Sequence, residues 1–273
     1  MVGVHRGRQG RLADVSTPLD PLRPADVDPA REPLEWATIA DFLRFWLEHN
    51  PLSGEERAAF DRYYRNYRRS FSPYLQHHVA GQAREVDDTI RQGASPRLLD
   101  VGAGCGTEAL WFALNGANVT AIDVQAGRLA TARARHAWLA TRLAQQIPAT
   151  FVEASLFDLD PASPFDVIWM EQTFHHLEPR QEVYGALFRL LRPGGTLVIS
   201  EVSAWNLPLQ LQLFLRRGFK TKKIYVDSRG RRLAYGNERI TTPGALRRGL
   251  ERAIVAAVPL LSTHFNLVAD RPR

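Results

Sequence analysis

The stretch Arg97 to Gly106, RLLDVGAGCG, constrains the fold of this chain more than any other. Leu98, Leu99 and Val101 read as a short buried strand, Gly102, Gly104 and Gly106 as a tight loop, and Thr107 to Leu114 as a helix. Alternating glycines permit positive-φ backbone and let a ligand lie against the peptide units. A helix that starts at such a loop offers free N–H groups at its positive end. The dinucleotide spacing G-x-G-x-x-G fails in both frames, because Thr107 and Ala109 stand where the third glycine would fall. The loop is D-x-G-x-G-x-G, with Asp100 at its head, and a second acid, Asp123, closes the next apolar run, NVTAID.

From Arg97 onward, strand-like runs at 97–102, 118–123, 149–153, 165–170 and 195–201 alternate with helix-like runs near 106–115, 126–146 and 178–191. Such alternation predicts a parallel sheet covered on both faces, with ligands outside the carboxyl ends of the strands. Asp123 ends the second strand about twenty residues beyond the glycine loop, where a carboxylate can accept from ribose hydroxyls; its other reading is a cap for the helix that follows. His175 and His176 follow the fourth strand, and imidazole titrates near neutral pH, so either can take a proton from an attacking oxygen or nitrogen. The alternative is that one caps a helix or packs beside Phe174.

This ordered set resembles the class I S-adenosylmethionine-dependent methyltransferases over roughly Arg97 to Glu201. The resemblance implies a doubly wound α/β fold with a mostly parallel seven-stranded sheet, a Rossmann-like methyltransferase fold. It also implies S-adenosylmethionine as methyl donor, with the loop Gly102, Ala103, Gly104 and Gly106, headed by Asp100, at its amino-acid end and Asp123 with Val124 at its ribose. In the family an acid after the third strand accepts from the adenine amino group; Glu153, beside Ala154, holds that position, and Asp158 in the next turn is its rival. Backbone near Glu171 would meet the methionine end. LRPGG before the fifth strand, Leu191 to Gly195, is a further family feature, and Glu201 at that strand's end is placed to face substrate.

Residues 1–33 are rich in Pro, Asp and Arg without periodicity and read as a mobile tail. Residues 34–96 predict three helices: one carrying Trp36, Ile39, Leu43, Trp46 and Leu47 on one face, one from a Ser53–Glu56 capping box to about Arg69, and one over Pro73 to Gln92. The second interleaves tyrosines with arginines, which suits either nucleic-acid stacking or an amphipathic packing face. Residues 34–96 hold 8 basic against 9 acidic residues, which favours packing, because phosphate binding needs a net positive footprint. In the resembling family such helices cover the cofactor and substrate, so 34–96 is read as a helical lid and 97–273 as the methyltransferase core.

The net charge of +6 is concentrated after residue 205, where 14 Lys and Arg face 4 Asp and Glu. Asn206 to Phe219 reads as a helix with a broad leucine surface and a basic end. Packing of those leucines on the core is the expectation, and contact with an anionic membrane or an amphiphilic acidic substrate is the alternative. Tyr225 to Thr241 reads as a hairpin turning at Asp227–Gly230, Thr242-Pro243 opens a last helix to about Arg252, and Ser262 to Ala269 a final, antiparallel strand.

The only cysteine, Cys105, rules out an internal disulfide and lies in the loop with no activating neighbour in sequence; a reducing, cytoplasmic setting fits. No metal-ligand spacing is visible, so no metal is expected. The expected function is methyl transfer to a small-molecule acceptor that is amphiphilic or acidic. Two alternatives are a nucleic-acid methyltransferase, against which MEQTF stands where the base-amine motif belongs, and a non-catalytic adenosylmethionine-binding protein. Acceptor atom and oligomeric state stay open.

Overall fold

The computed structural model describes residues 35–93, 95–250, 254–255 and 264–270. The tail over 1–33 and the far ends expected for the last helix and the last strand lie outside these residues.

Four helices open the described chain: α1 (Ile39–His49), α2 (Gly54–Tyr63), α3 (Arg65–Arg69) and α4 (Pro73–Gln92). A reciprocal capping box starts α1, where the Asp41 N–H donates to Thr38 Oγ1 over 3.2 Å and the Thr38 N–H to Asp41 Oδ2 over 3.1 Å, a device worth about 0.5–2 kcal/mol. The single helix expected over 53–69 is instead broken at Tyr64, and the Ser53 hydroxyl makes no cap bond. Gly54 sits at φ +59°, so the chain enters α2 from a left-handed residue in place of a side-chain cap.

The alternating region then runs β1 (Arg97–Val101), α5 (Thr107–Leu114), β2 (Asn118–Asp123), α6 (Ala126–Leu143), β3 (Ala149–Glu153), β4 (Phe165–Glu171), α7 (Arg180–Leu190) and β5 (Leu191–Val202). It is followed by α8 (Leu207–Arg217), β6 (Lys222–Val226), β7 (Arg232–Gly236), α9 (Pro243–Gly249), β8 (Ile254–Val255) and β9 (His264–Asp270). The sheet order is β3-β2-β1-β4-β5-β9-β8. Five strands are parallel, and β9 and β8 add an antiparallel pair at one edge, so the parallel run is five strands where a mostly parallel seven was expected. The LRPGG segment is part of β5 as an irregularity that shifts its register against β4, not a turn ahead of the strand. β6 and β7 form the expected hairpin as a separate two-stranded sheet.

Both faces of the parallel strands are buried, which explains their near-continuous apolar runs. Leu98, Val119, Val167 and Trp169 meet Phe42, Trp46, Phe60, Tyr64 and Val86 of the N-terminal helices in one core. Leu99, Ile122, Ile168 and Ile199 meet Val183, Leu187 and Leu246 in the other. The N-terminal helices are therefore built into the main core. Strand order reverses between β1 and β4, and the glycine loop leaves β1 at that switch point, the place where open α/β sheets hold ligands.

Candidate functional site

The loop after β1 places Gly102, Gly104 and Gly106 at φ +81°, +53° and +80°. A Cβ at Gly102 would strike the Thr173 side chain and one at Gly104 the Tyr63 ring, so neither position tolerates a side chain. The Asp123 carboxylate organises this turn. Oδ2 accepts the Gly104 N–H over 3.0 Å and Oδ1 the Gln125 N–H over 2.8 Å, so Asp123 joins the glycine loop to the turn before α6, while α6 itself has no side-chain cap. Burial raises its pKa, while Arg128 and the backbone N–H groups pull it back.

Behind the loop lies Arg135, wholly buried although it carries a charge. Nη1 donates to the Cys105 carbonyl over 2.7 Å and to Thr107 Oγ1 over 2.9 Å, and the Tyr64 hydroxyl meets Thr107 Oγ1 over 2.5 Å. The guanidinium lies 4.4 Å from the Trp46 ring, 5.2 Å from Phe60 and 5.6 Å from Phe42. One α6 side chain thus ties the glycine loop to α1 and α2. The Cys105 thiol is buried and pushed up to about 11, which keeps it protonated and unreactive.

A cavity of about 520 Å³ opens outside the carboxyl ends of β1, β2, β3 and β4. Gly102, Asp123, Val124, Ala154 and Glu171 line it, with His175 and His176 beyond them. Desolvation and the neighbouring Glu108, Glu201 and Asp100 push the Glu171 carboxyl well above the usual carboxylate range. Asp100, Ala103, Gly104, Gly106 and Glu153 do not line the cavity. Asp100 is buried behind the loop; it accepts from the Ala109 N–H, and its Oδ2 has no hydrogen-bond partner. Glu153 faces the β6–β7 turn, where it accepts from the Ser228 hydroxyl while its carbonyl accepts from Arg229 over 3.3 Å. Its rival Asp158 is held by a two-point ion pair with Arg231 over 2.8 and 2.9 Å.

At the far end of the cavity the two histidines sit in opposite environments. His175 Nδ1–H donates to Glu201 Oε2 over 2.7 Å, and Nε2 lies 3.4 Å from Glu238 Oε2. Burial pulls this imidazole down, but the two carboxylates outweigh it and hold it at about 9. His176 Nδ1–H donates to the Gly236 carbonyl over 3.0 Å, and its ring stacks on Tyr235. Burial and the neighbouring His175 push it down to about 4. Glu238 is lowered to about 2, chiefly by its hydrogen bond from His175.

Sequence reasoning missed Tyr63 and Glu238. Glu238 reaches the histidines because β7 lies against the 174–176 turn, with Leu177 bridged to Tyr235 and no room for a Cβ at Gly236 beside the His175 carbonyl. A glycine within a strand is the one local signal of such a close approach. No short-range spacing marks His175, His176 and Glu238 as a cluster, yet one ligand atom from each lies within 4.8 Å of the others.

Residues 99–199 match the family described as "Methyltransferase domain". A malonyl-[acyl-carrier protein] O-methyltransferase of Enterobacter lignolyticus is 31% identical over 141 residues, 50% of this chain and 52% of that protein. A demethylmenaquinone methyltransferase of Clavibacter sepedonicus is 35% identical over 128 residues, 46% and 47% of the two chains. The chain spans about half the length of these curated relatives. Among solved structures, magnesium protoporphyrin IX methyltransferase from Synechocystis PCC 6803 with bound SAH superposes with a TM-score of 0.51 at 17% identity, over 85% of this chain and 99% of that one, a likeness of fold. With its glycine loop at the switch point and a match to the methyltransferase domain over residues 99–199, the chain is similar to the class I S-adenosylmethionine-dependent methyltransferases.

Proposed function

We propose that the protein transfers the methyl group of S-adenosylmethionine to a small-molecule acceptor, leaving S-adenosylhomocysteine. The observation that carries this reading is the convergence of Gly102, Asp123, Ala154 and Glu171, from the ends of four successive strands, on one cavity. Its volume of about 520 Å³ falls in the ~300–1,000 Å³ range of small-molecule sites. Gly102, which lines the cavity and has no room for a side chain, suits close approach of the donor's polar amino-acid end.

The donor supplies an electrophilic methyl carbon on a sulfonium, and displacement there needs mainly in-line placement of the nucleophile. Asp123, with Val124 beside it, holds the ribose hydroxyls. Gly102 and Glu171 face the methionine end, and Ala103, Gly104 and Gly106 shape the loop behind Gly102 with Asp100 buried beneath it. Ala154 flanks the adenine, while Glu153 anchors the hairpin turn at that rim through Ser228. Tyr63 and Asn66 of the N-terminal helices line the cavity, which supports the covering role of residues 34–96. His176, kept neutral by a pKa of about 4, accepts a hydrogen bond from the acceptor at Nε2 and orients it, and His175 lies beside it between two carboxylates. A small-molecule acceptor is supported by relatives named for demethylmenaquinone and malonyl-[acyl-carrier protein]. S-adenosylhomocysteine release with a panel of amphiphilic and acidic acceptors tests the reading. Release only with nucleic acid would favour the nucleic-acid alternative, and donor binding without release under any acceptor would favour a binding protein.

The membrane alternative for the basic C-terminal segment rests on α8. Only Leu213 of its leucines is buried; Leu207, Leu211 and Leu215 are exposed, Leu215 by 76%, and Phe219 beyond the helix is 90% exposed. The leucines thus do not pack on the core as expected. Arg216, Arg217, Lys220, Lys222 and Lys223 border them. No helix among the described residues is long and apolar enough to cross a membrane. This surface suits peripheral contact with an anionic membrane from a cytoplasmic side, with leucines inserted and cations on the headgroups. The protein is expected to sediment with liposomes containing anionic lipid and to stay in the supernatant with neutral ones. Leu211→Glu with Leu215→Glu should release it, and equal recovery from both liposomes would rule the contact out.

A further inference from the structure

We propose that His175, His176 and Glu238 form a binding site for a first-row divalent transition-metal cation, oriented by Glu201 and the Gly236 carbonyl. Two imidazoles and one carboxylate make a donor set suited to Zn²⁺, Fe²⁺, Mn²⁺ or Co²⁺, and three protein ligands leave positions open for an acceptor.

The geometry is that of a site with its outer shell in place. Metal-binding imidazoles characteristically donate their second N–H to a carboxylate or a backbone carbonyl, which fixes tautomer and ring plane. Here His175 Nδ1–H goes to Glu201 and His176 Nδ1–H to Gly236, so each ring is left with Nε2 for a ligand. His175 Nε2 and Glu238 Oε2 are 3.4 Å apart. Two donors each ~2.1 Å from a tetrahedral cation stand about 3.4 Å apart, so a cation fits between them without moving either. One ligand atom from each of the three residues lies within 4.8 Å of the others. Glu238 is held at φ +53°, a left-handed conformation unusual for a residue with a side chain, and the next residue, Arg239, is tied to Glu178 over 2.6 Å. The proton that joins His175 Nε2 to Glu238 leaves to solvent when the cation takes its place.

A plain hydrogen-bonded network explains His175 between its two carboxylates. A second imidazole, its Nδ1 held by the Gly236 carbonyl, completes a two-histidine, one-carboxylate set within 4.8 Å. Such a cation would bind the acceptor oxygen or nitrogen directly and lower its pKa. Cation binding is read without donor or acceptor, so this proposal and the methyl-transfer reading fail independently.

The test uses the untagged full chain, stripped with chelator and titrated with Zn²⁺ by calorimetry and with Co²⁺ by visible absorption. One equivalent is expected to bind, with ligand-field bands showing nitrogen ligation. His176→Ala and Glu238→Ala should each weaken binding about 100-fold or more, and Glu201→Gln about 10–100-fold through the outer shell. His49→Ala, a partly exposed histidine on α1, should change nothing. X-ray absorption on the unmutated Zn²⁺ form should count two imidazoles, a readout that holds even if a variant fails to fold. Absence of stoichiometric binding, or binding unchanged by His176→Ala and Glu238→Ala, would overturn the proposal.

Discussion

Replacing Arg135 by alanine is expected to lower the unfolding free energy by roughly 3–5 kcal/mol, read as a shift of the urea midpoint. The substitution empties a cage made by Phe42, Trp46 and Phe60, and it strips the Cys105 carbonyl of its donor in a buried setting. Burial lowers the Arg135 pKa, so part of the loss is offset by no longer holding a charge away from water. Arg135→Met refills the cage without the charge and should therefore be distinctly milder than alanine. Arg135→Lys should be as damaging as Met or worse, because a single ammonium reproduces neither the planar fork nor the ring stacking. Since the same side chain holds the glycine loop, donor affinity should fall alongside stability in the alanine variant. An alanine variant as stable as the parent would show that the helices and the loop are not joined through this residue.

The second large effect is expected at Asp123. Truncation to alanine removes the acceptor for two backbone N–H groups, at Gly104 and Gln125, as well as the acceptor offered to the donor's ribose. Hydrogen bonds to a charged group are worth about 1.5–3 kcal/mol each, so losing two on the ligand side should weaken binding at least 100-fold. Asp123→Asn keeps the shape and one acceptor, and should lose closer to 10-fold. Protonation of Asp123 removes its charge, and burial raises its pKa. Donor affinity should therefore decline on acidification, beginning at a higher pH than an unburied aspartate would require.

The periodicity of the sequence made the parallel strands legible, because strands buried on both faces leave long apolar runs that turn residues interrupt. The glycine loop and Asp123 were legible because each ends a strand and carries its signal in a short run of residues, although the side chains packed on the loop, Tyr63 and Thr173, come from distant segments. Glu153 matched a position in a pattern, yet its side chain answers to Ser228 on a distant hairpin, which no local spacing records. Arg135 looked like any surface arginine of an amphipathic helix, since its partners Trp46 and Phe60 belong to elements far upstream. Glu238 was hidden in the same way, visible only once Gly236 lets β7 close on the 174–176 turn. The leucines of α8 misled in the other direction: period and composition predict burial, and only the packing reveals that nothing among the described residues covers them.

The central claim is that the cavity at the β1–β4 switch point holds S-adenosylmethionine. Calorimetric titration of adenosylmethionine into the folded full chain tests it most directly. One equivalent should bind, and S-adenosylhomocysteine should compete for the same site. No heat of binding to protein shown to be folded would contradict the account.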